Sequence, residues 1–253
     1  MKKMFGKKLA FLLAAAVLSA GAVAQNIENA PNYLIISGTV VLEAVIEDVP
    51  ADVVIPEGVT EIKPNAFGGC KTLKTLQLPT SLTKIGENAF RDCTSLKGVV
   101  IPDGVTEIQS GTFAGCKSIA SLTIGRGVKH IYYMAFYGCN SLKTVEIPGN
   151  VTTINSSFEN CKSLENIVLR EGVEDFSIGD GEGSFQSLSS ITIPMSIKSF
   201  HIPNWLSGSI EQVNYSGTRA QWLQVNKGDS TYGLTIHCTD GDYTRSYRHY
   251  EGY

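Results

Sequence analysis

Past its first two dozen residues this 253-residue chain has no long hydrophobic run. A bilayer-spanning helix needs about 20 consecutive apolar residues, so no transmembrane segment is expected. The chain also lacks a surplus of basic charge. Lys and Arg number 21 against 24 acidic residues, and four of those lysines (Lys2, Lys3, Lys7, Lys8) lie in the first eight positions. Nucleic acid and anionic membrane surfaces both call for a basic face, and neither is an expected partner. Histidine is scarce. Its four copies, His130, His201, His237 and His249, show no H-E-x-x-H or paired spacing. No G-x-S-x-G elbow, P-loop or CxxC pair is present, so the motifs that would announce a hydrolase, a nucleotide site or a zinc site are missing. No cofactor, metal or catalytic group is expected. "GDGEG" at 179–183 offers Asp180 and Glu182 but lacks the regular acidic spacing of a calcium loop.

The first 24 residues read as an export signal. A basic stretch, MKKMFGKK, precedes an apolar one, LAFLLAAAVLSAGAVA, that ends in small residues. Its loss would leave 17 basic and 24 acidic residues, a net charge of −7. The expected location is secreted, periplasmic or attached to the cell surface.

What is abundant is repetition. Cys70, Cys93, Cys116, Cys139 and Cys161 fall at spacings of 23, 23, 23 and 22. Each follows a phenylalanine by three: Phe67, Phe90, Phe113, Phe136 and Phe158. A fixed period in this range denotes a solenoid. Within "LTKIGENAFRDCTSLKGVVI" the Phe–Cys pair has the spacing of one face of a helical turn. Val99 and Ile101 alternate as in a strand. Prolines at 56, 79, 102, 148 and 194 close most of the strands, because proline cannot donate to a ladder. Each unit therefore reads as strand, turn, second short extended segment, helical turn, and strand again. One unit alone cannot stand. About 23 residues cost roughly 1–2 kcal/mol each to order, more than about six or seven apolar side chains return at roughly 1.5–3 kcal/mol each. Stacking is obligatory.

Seven units fit between Val54 and Val213, the last two degenerate. The expected division is a signal at 1–24, an N-terminal β cap at 25–52, the solenoid at 53–213, a C-terminal cap at 214–243 and a tail at 244–253. The C-terminal cap carries a capping box from Thr218 to Gln221, with its short helix expected to stop near Gly228. The cysteines read as a buried ladder of inert thiols, with Cys93, Cys116 and Cys139 expected to stay reduced and sporadic disulfides after export as the alternative.

"VVIPEGVTEIKPNAFGGCKTLKTL" resembles the BspA-like leucine-rich repeats of bacterial surface and secreted proteins. That resemblance implies a right-handed leucine-rich coil of short parallel strands and helical turns, capped at both ends. It further implies a role in adhesion and protein binding, with no catalytic residues to carry over. On the outward strand positions the side chains are bland: Thr75 and Gln77, Ser121 and Thr123, Thr144 and Glu146, Ser190 and Thr192. The candidate partner surface is therefore the aromatic cluster Tyr132, Tyr133 and Tyr137, with the Asp180–Glu182 insertion as a second contact. A protein ligand is the expected partner. A glycan or cell-wall polymer is the alternative, with Tyr132, Tyr133 or Trp222 stacking on sugar rings.

Overall fold

The computed structural model describes residues 31–154, 156–178, 185–203, 206, 209–227, 231 and 233–244. The signal, the Asp180–Glu182 insertion, Gly228 and the tail from 245 onward lie outside them.

The chain coils into a β-solenoid. Along one side run nine short strands: β3 (Asp52–Val54), β5 (Thr75–Gln77), β7 (Gly98–Val100), β9 (Ser121–Thr123), β11 (Thr144–Ile147), β13 (Asn166–Leu169), β15 (Ser190–Ile193), β17 (Gln212–Tyr215) and β18 (Thr235–Cys238). Neighbours pair in parallel and in register within three sheets, β3–β5, β7–β9 and β11–β13–β15–β17–β18, as in Val54↔Gln77, Val145↔Ile167 and Ile167↔Ile191. A second side stacks two-residue strands: β4 (Glu61–Ile62), β6 (Lys84–Ile85), β8 (Glu107–Ile108), β10 (His130–Ile131) and β12 (Thr153–Ile154), again parallel and in register. β14 (Asp175–Ser177) and β16 (Ser199–His201) form a two-stranded sheet further along the chain. The molecule makes about eight turns, one more than the sequence units. The extra turn comes from the C-terminal segment, whose strand β18 continues the parallel stack beyond β17.

Helical turns are minor. The segment that carries each Phe–Cys pair is instead bracketed by two left-handed residues. One row holds Asn65, Asn88, Gly111, Met134 and Ser156, with φ from 43° to 63°, and the other Gly69, Asp92, Gly115, Gly138 and Asn160, with φ from 57° to 77°. Gly and Asn fill most of these places because they tolerate positive φ. Alternation of handedness turns every second N–H toward the following coil. Asn65, Phe67 and Gly69 donate to the carbonyls of Glu87, Ala89 and Arg91 at 2.9, 2.7 and 2.7 Å. Asn88, Phe90 and Asp92 repeat the pattern on the next coil at 3.1, 2.9 and 2.7 Å. Each intervening residue closes a tight turn, as Cys93 does onto the carbonyl of Phe90 at 3.2 Å.

Inside, like stacks on like. The rings of Phe67, Phe90, Phe113, Phe136 and Phe158 follow one another at 5.0 to 5.5 Å, tilted by no more than 14°. The five cysteines beside them are buried, and all six cysteines of the chain are free. Cys93, Cys116, Cys139 and Cys161 donate to the carbonyls of Phe67, Phe90, Phe113 and Phe136 one coil back, at 3.1 to 3.5 Å, and the Cys116 side chain also lies within hydrogen-bonding reach of Cys93. Removal from water pushes the Cys161 thiol up to about 12 and Cys139 well above its ordinary range.

The ends are closed by different means. At the N-terminus β1 (Leu34–Ser37) and β2 (Val40–Ala44) form an antiparallel hairpin, and β2 pairs in parallel with β4. The Ala44 N–H caps the carbonyl of Ala66 at 2.8 Å. At the C-terminus β18 turns back on β19 (Gly241–Thr244) in antiparallel fashion. The helix α1 (Arg219–Trp222) opens on the capping box: Thr218 Oγ1 accepts from Gln221 N, and Gln221 Oε1 from Thr218 N at 2.8 Å. This helix stops at Trp222, well short of Gly228. Beyond it the chain tightens into three-residue turns, Gln224 N–H on the carbonyl of Gln221 at 3.0 Å and Val225 N–H on that of Trp222 at 3.1 Å. The Lys227 ammonium covers the end, donating to the carbonyls of Trp222 and Val225 and lying 5.0 Å from the Trp222 ring centroid. The chain then returns to the coil, with Asn226 N–H on the carbonyl of Lys198 at 2.8 Å.

Two outcomes follow from this construction. Met134 holds a left-handed φ of 56° that costs an ordinary side chain about 1 kcal/mol or more. Met134→Asn should therefore raise the denaturant midpoint by an amount worth about 0.5–1 kcal/mol; a lower midpoint would show that the side chain, not the backbone, dominates there. The thiols set the alkaline limit. Unfolded cysteine ionises near pH 8.5, whereas Cys139 and Cys161 stay neutral in the fold to higher pH. The unfolded state thus loses protons first, and stability falls as pH rises above about 8.5. Cys139→Ala should remove about 2 kcal/mol of the loss otherwise seen between pH 8 and pH 10. An unchanged pH slope in urea titrations would contradict the assignment.

Candidate binding surfaces

Because the interior is spent on packing, chemistry on this molecule is surface chemistry. One small void lies between coils where the fifth unit is a residue short. Val145, Ile147, Phe158, Ile167 and Phe176 line it, and at about 10 Å³ it has room for one water. Among the described residues no group of three His, Cys, Asp or Glu is placed to hold a metal. Among the same residues no helix is long and apolar enough to cross a membrane.

The tyrosines occupy the turn that bridges the short strand β10 to the left-handed segment. Ile131 is buried in the core, so the chain leaves the sheet at Tyr132, which is half-buried. Tyr133 follows and is 51% exposed, its carbonyl accepting from Gly111 N–H at 3.1 Å. Met134 then takes its left-handed turn, and Tyr137, half-buried, gives its carbonyl to Gly115 N–H at 2.7 Å. The backbone is thus pinned on both sides of the patch while the side chains face outward. Tyr132 lies 6.0 Å from the ring of His130, at 33° to it. No ring contact joins the three tyrosines to one another among the described residues, so they form no flat stacking platform.

His130 sits in register between Glu107 and Thr153, with Nδ1 3.1 Å from the Thr153 hydroxyl. His237 pairs with Asp242 at 2.9 Å on the edge of the C-terminal hairpin. Neither is joined by a third ligand or an acid–base partner in a cleft. Trp222 is fully buried, 5.1 Å from Tyr215 and 5.9 Å from Phe200. It closes the last coils and is out of reach of a sugar ring, which removes one of the three aromatics on which the glycan alternative rested. Asp180 and Glu182 lie outside the described residues.

The long sheet presents two outward positions per strand. Thr75, Gln77, Ser121, Thr123, Thr144 and Glu146 are exposed, while Ser190 and Thr192 are half-buried. Two apolar residues escaped the reading of these positions as uniformly polar. Val54 is 53% exposed and Val100 62% exposed, each in the same outward row as Gln77 and Thr123. Their alternation with buried Val53 and Val99 was the available signal. Further along that row Glu146 and Arg170 of the next coil form an ion pair at 2.6 Å. Hydrogen bonding from Arg170 holds the Glu146 carboxyl below the usual carboxylate range.

Among curated proteins, none matches the chain significantly. The fold is similar to two solved structures. One is a leucine-rich repeat protein of T. pallidum, at 32% identity and a TM-score of 0.56, with 60% of this chain and 72% of that one covered. The other is a leucine-rich repeat protein of Bacteroides ovatus, at 28% identity and a TM-score of 0.55. That match covers 71% of this chain and 50% of the Bacteroides ovatus protein, so this chain spans half of that relative's length. The model of the BspA type leucine-rich repeat region matches in six copies, over residues 51–157 and 84–205. The stacked coils, the repeated Phe–Cys pair and this match agree, and the chain belongs to the BspA-type leucine-rich repeat family.

Proposed function

We propose that this chain is an exported, non-enzymatic repeat protein that binds another protein at the cell surface or outside the cell. The observation that carries the reading is the division of labour in the coil. Phe, Cys, Leu and Ile side chains are spent on stacking, and the void between Val145 and Phe176 has room only for a water. Outside, backbone ladders on successive coils hold a broad surface rigid. A preorganised surface of this kind binds through many modest contacts without the ordering cost that a flexible one would incur. Repeat solenoids use their extended faces in this way. The signal-like residues 1–24 support export, and the surface and secreted proteins that the sequence resembles support an extracellular site.

Tyr133 is the best anchor in the described surface. It is the one aromatic among the exposed large hydrophobic residues, and Tyr132 and Tyr137 flank it. Tyrosine supplies contact area and a hydroxyl together, which is why it recurs at the energetic centres of interfaces. The residues from Asp180 to Glu182 belong to the same proposal as a second contact.

The protein should be immobilised and challenged with extracellular-matrix and envelope extracts at physiological salt, and retained material identified by mass spectrometry. A saturable protein ligand is expected, with at least tenfold weaker binding to Tyr133→Ser and to the triple Tyr132→Ser, Tyr133→Ser, Tyr137→Ser variant. Circular dichroism of both variants separates lost contact from lost fold. Undiminished binding by folded variants would remove the tyrosine surface. Retention of polysaccharide with no protein would favour the glycan reading.

A further inference from the structure

Each coil turns a corner between its buried cysteine and the next long strand, and two positions of that corner face outward, exposed where lysine holds them and half-buried at Thr94, Asn140 and Glu165. In five successive coils the two positions are held by Lys71 and Lys74, Thr94 and Lys97, Lys117 and Ala120, Asn140 and Lys143, and Lys162 and Glu165. Backbone bonds stack the corners directly. Lys97 N–H donates to the carbonyl of Lys74 at 3.0 Å, Ala120 to Lys97 at 2.8 Å, Ser141 to Lys117 at 3.1 Å and Glu165 to Lys143 at 2.8 Å. Six exposed lysines therefore lie in two adjacent columns. At about 4.8 Å per coil the stripe is about 19 Å long.

Elsewhere the outward rows alternate in sign. Glu61 holds both Lys63 and Lys84, at 2.9 and 3.1 Å, Glu146 holds Arg170 at 2.6 Å, and Glu174 holds Lys198 at 2.7 Å. In the stripe only Lys143 has such a partner, Glu165 at 3.2 Å. Lys71, Lys74, Lys97, Lys117 and Lys162 make no ion pair among the described residues. The nearby Asp92 pairs with Arg91 at 3.6 Å, and Asp48 stands one coil back from the stripe's N-terminal end. Unneutralised like charges on neighbouring strands destabilise the fold. Lysines on successive coils, such as Lys74 and Lys97, lie within a Debye length of about 8 Å at physiological salt. The chain bears this cost locally although its overall charge is negative.

We propose that this lysine stripe is a binding surface for a linear anionic polysaccharide laid along the solenoid axis. Several features select that class. The stripe is straight, and its charges are compact ammonium groups, each with three donors and no directional fork. The hydroxyls of Thr72, Ser118 and Ser141 border it. Neither column carries a large apolar or aromatic side chain, so a peptide finds no anchor and a nucleic-acid base finds no stacking partner. The column Lys71, Lys117, Lys162 recurs on every second coil, about 10 Å apart. That spacing suits a polymer with an oxyanion on alternate sugars. The proposal goes beyond the protein-binding reading and stands independently of it, at the corner after the Phe–Cys turn, whereas Tyr132 and Tyr133 precede that turn and Tyr137 lies within it.

Binding of the full chain to three probes, a size-defined heparin dodecasaccharide, polygalacturonate and poly-L-glutamate, tests the assignment by titration at 50–300 mM salt. Heparin or polygalacturonate should bind, and the tighter of the two identifies the anion as sulfate or carboxylate. The logarithm of affinity should fall with the logarithm of salt with a slope of about −3 to −5, as counterion release from several contacts requires. Changing Lys71→Gln, Lys97→Gln and Lys117→Gln together should weaken binding at least tenfold. The control triple Lys63→Gln, Lys84→Gln, Lys129→Gln, on the short-strand side, should weaken it no more than twofold. Five of the six residues are exposed and Lys63 is half-buried, and an unchanged melting temperature verifies folding. No binding at 50 mM salt overturns the proposal, as do equal losses in the two triples. Poly-L-glutamate binding as tightly as either polysaccharide overturns the assignment of ligand class.

Discussion

A coil of about 23 residues has no inside of its own, and everything else in this molecule answers that constraint. Each coil buries its apolar side chains only against the coils before and after it. The phenylalanines stack ring on ring because each occupies the same place in an identical backbone. The thiols reach back to a carbonyl one coil away for the same reason. Even the left-handed residues serve stacking, since they turn N–H groups out of the coil and toward the next one. Regularity here is a condition of having a core at all.

That dependence explains what could be read from the sequence. A side chain repeated at one period must lie in the stack, so the Phe and Cys rows, the strands and their closing prolines were legible from composition and spacing alone. The backbone between Phe and Cys was less so. The spacing of three fits a helical turn and fits equally a pair of left-handed residues around a tight turn; only Gly69, Gly115 and Gly138 hinted at the second. The eighth turn was hidden because "YSGTRAQWLQV" carries no Phe–Cys pair, though its backbone still closes a parallel coil at β18. Helix α1 ends before Gly228 because the chain tightens after Trp222 into three-residue turns that no residue in the sequence marks.

Surfaces are less legible for the same physical reason. Stacking constrains the inward residues and leaves the outward ones free to vary, so a functional outward residue has no periodic signature to betray it. The tyrosines drew notice through their type, yet their exposure differs from one to the next, with Tyr133 standing out and Tyr132 and Tyr137 partly covered. Val54 and Val100 break the polar pattern of the long sheet without altering the repeat. The lysines at the corners were counted only in a net charge whose sign is opposite to theirs. A total over the chain hides a stripe that exists only after coiling.

The left-handed segments carry one further consequence. Their inter-coil hydrogen bonds all run one way, with N–H groups directed toward the following coil and carbonyls toward the preceding one. This row therefore has a direction, much as a helix does, opposite to that of the corner bonds, where Lys97 N–H donates back to Lys74. Its front end shows acceptors, which the Ala44 N–H meets, and its rear end shows donors. The two caps are consequently not interchangeable. Along this row, two bare stacks brought front to front would oppose carbonyl to carbonyl, whereas front to rear they would match bond for bond. Capping in such a molecule is what keeps one chain from continuing into the next.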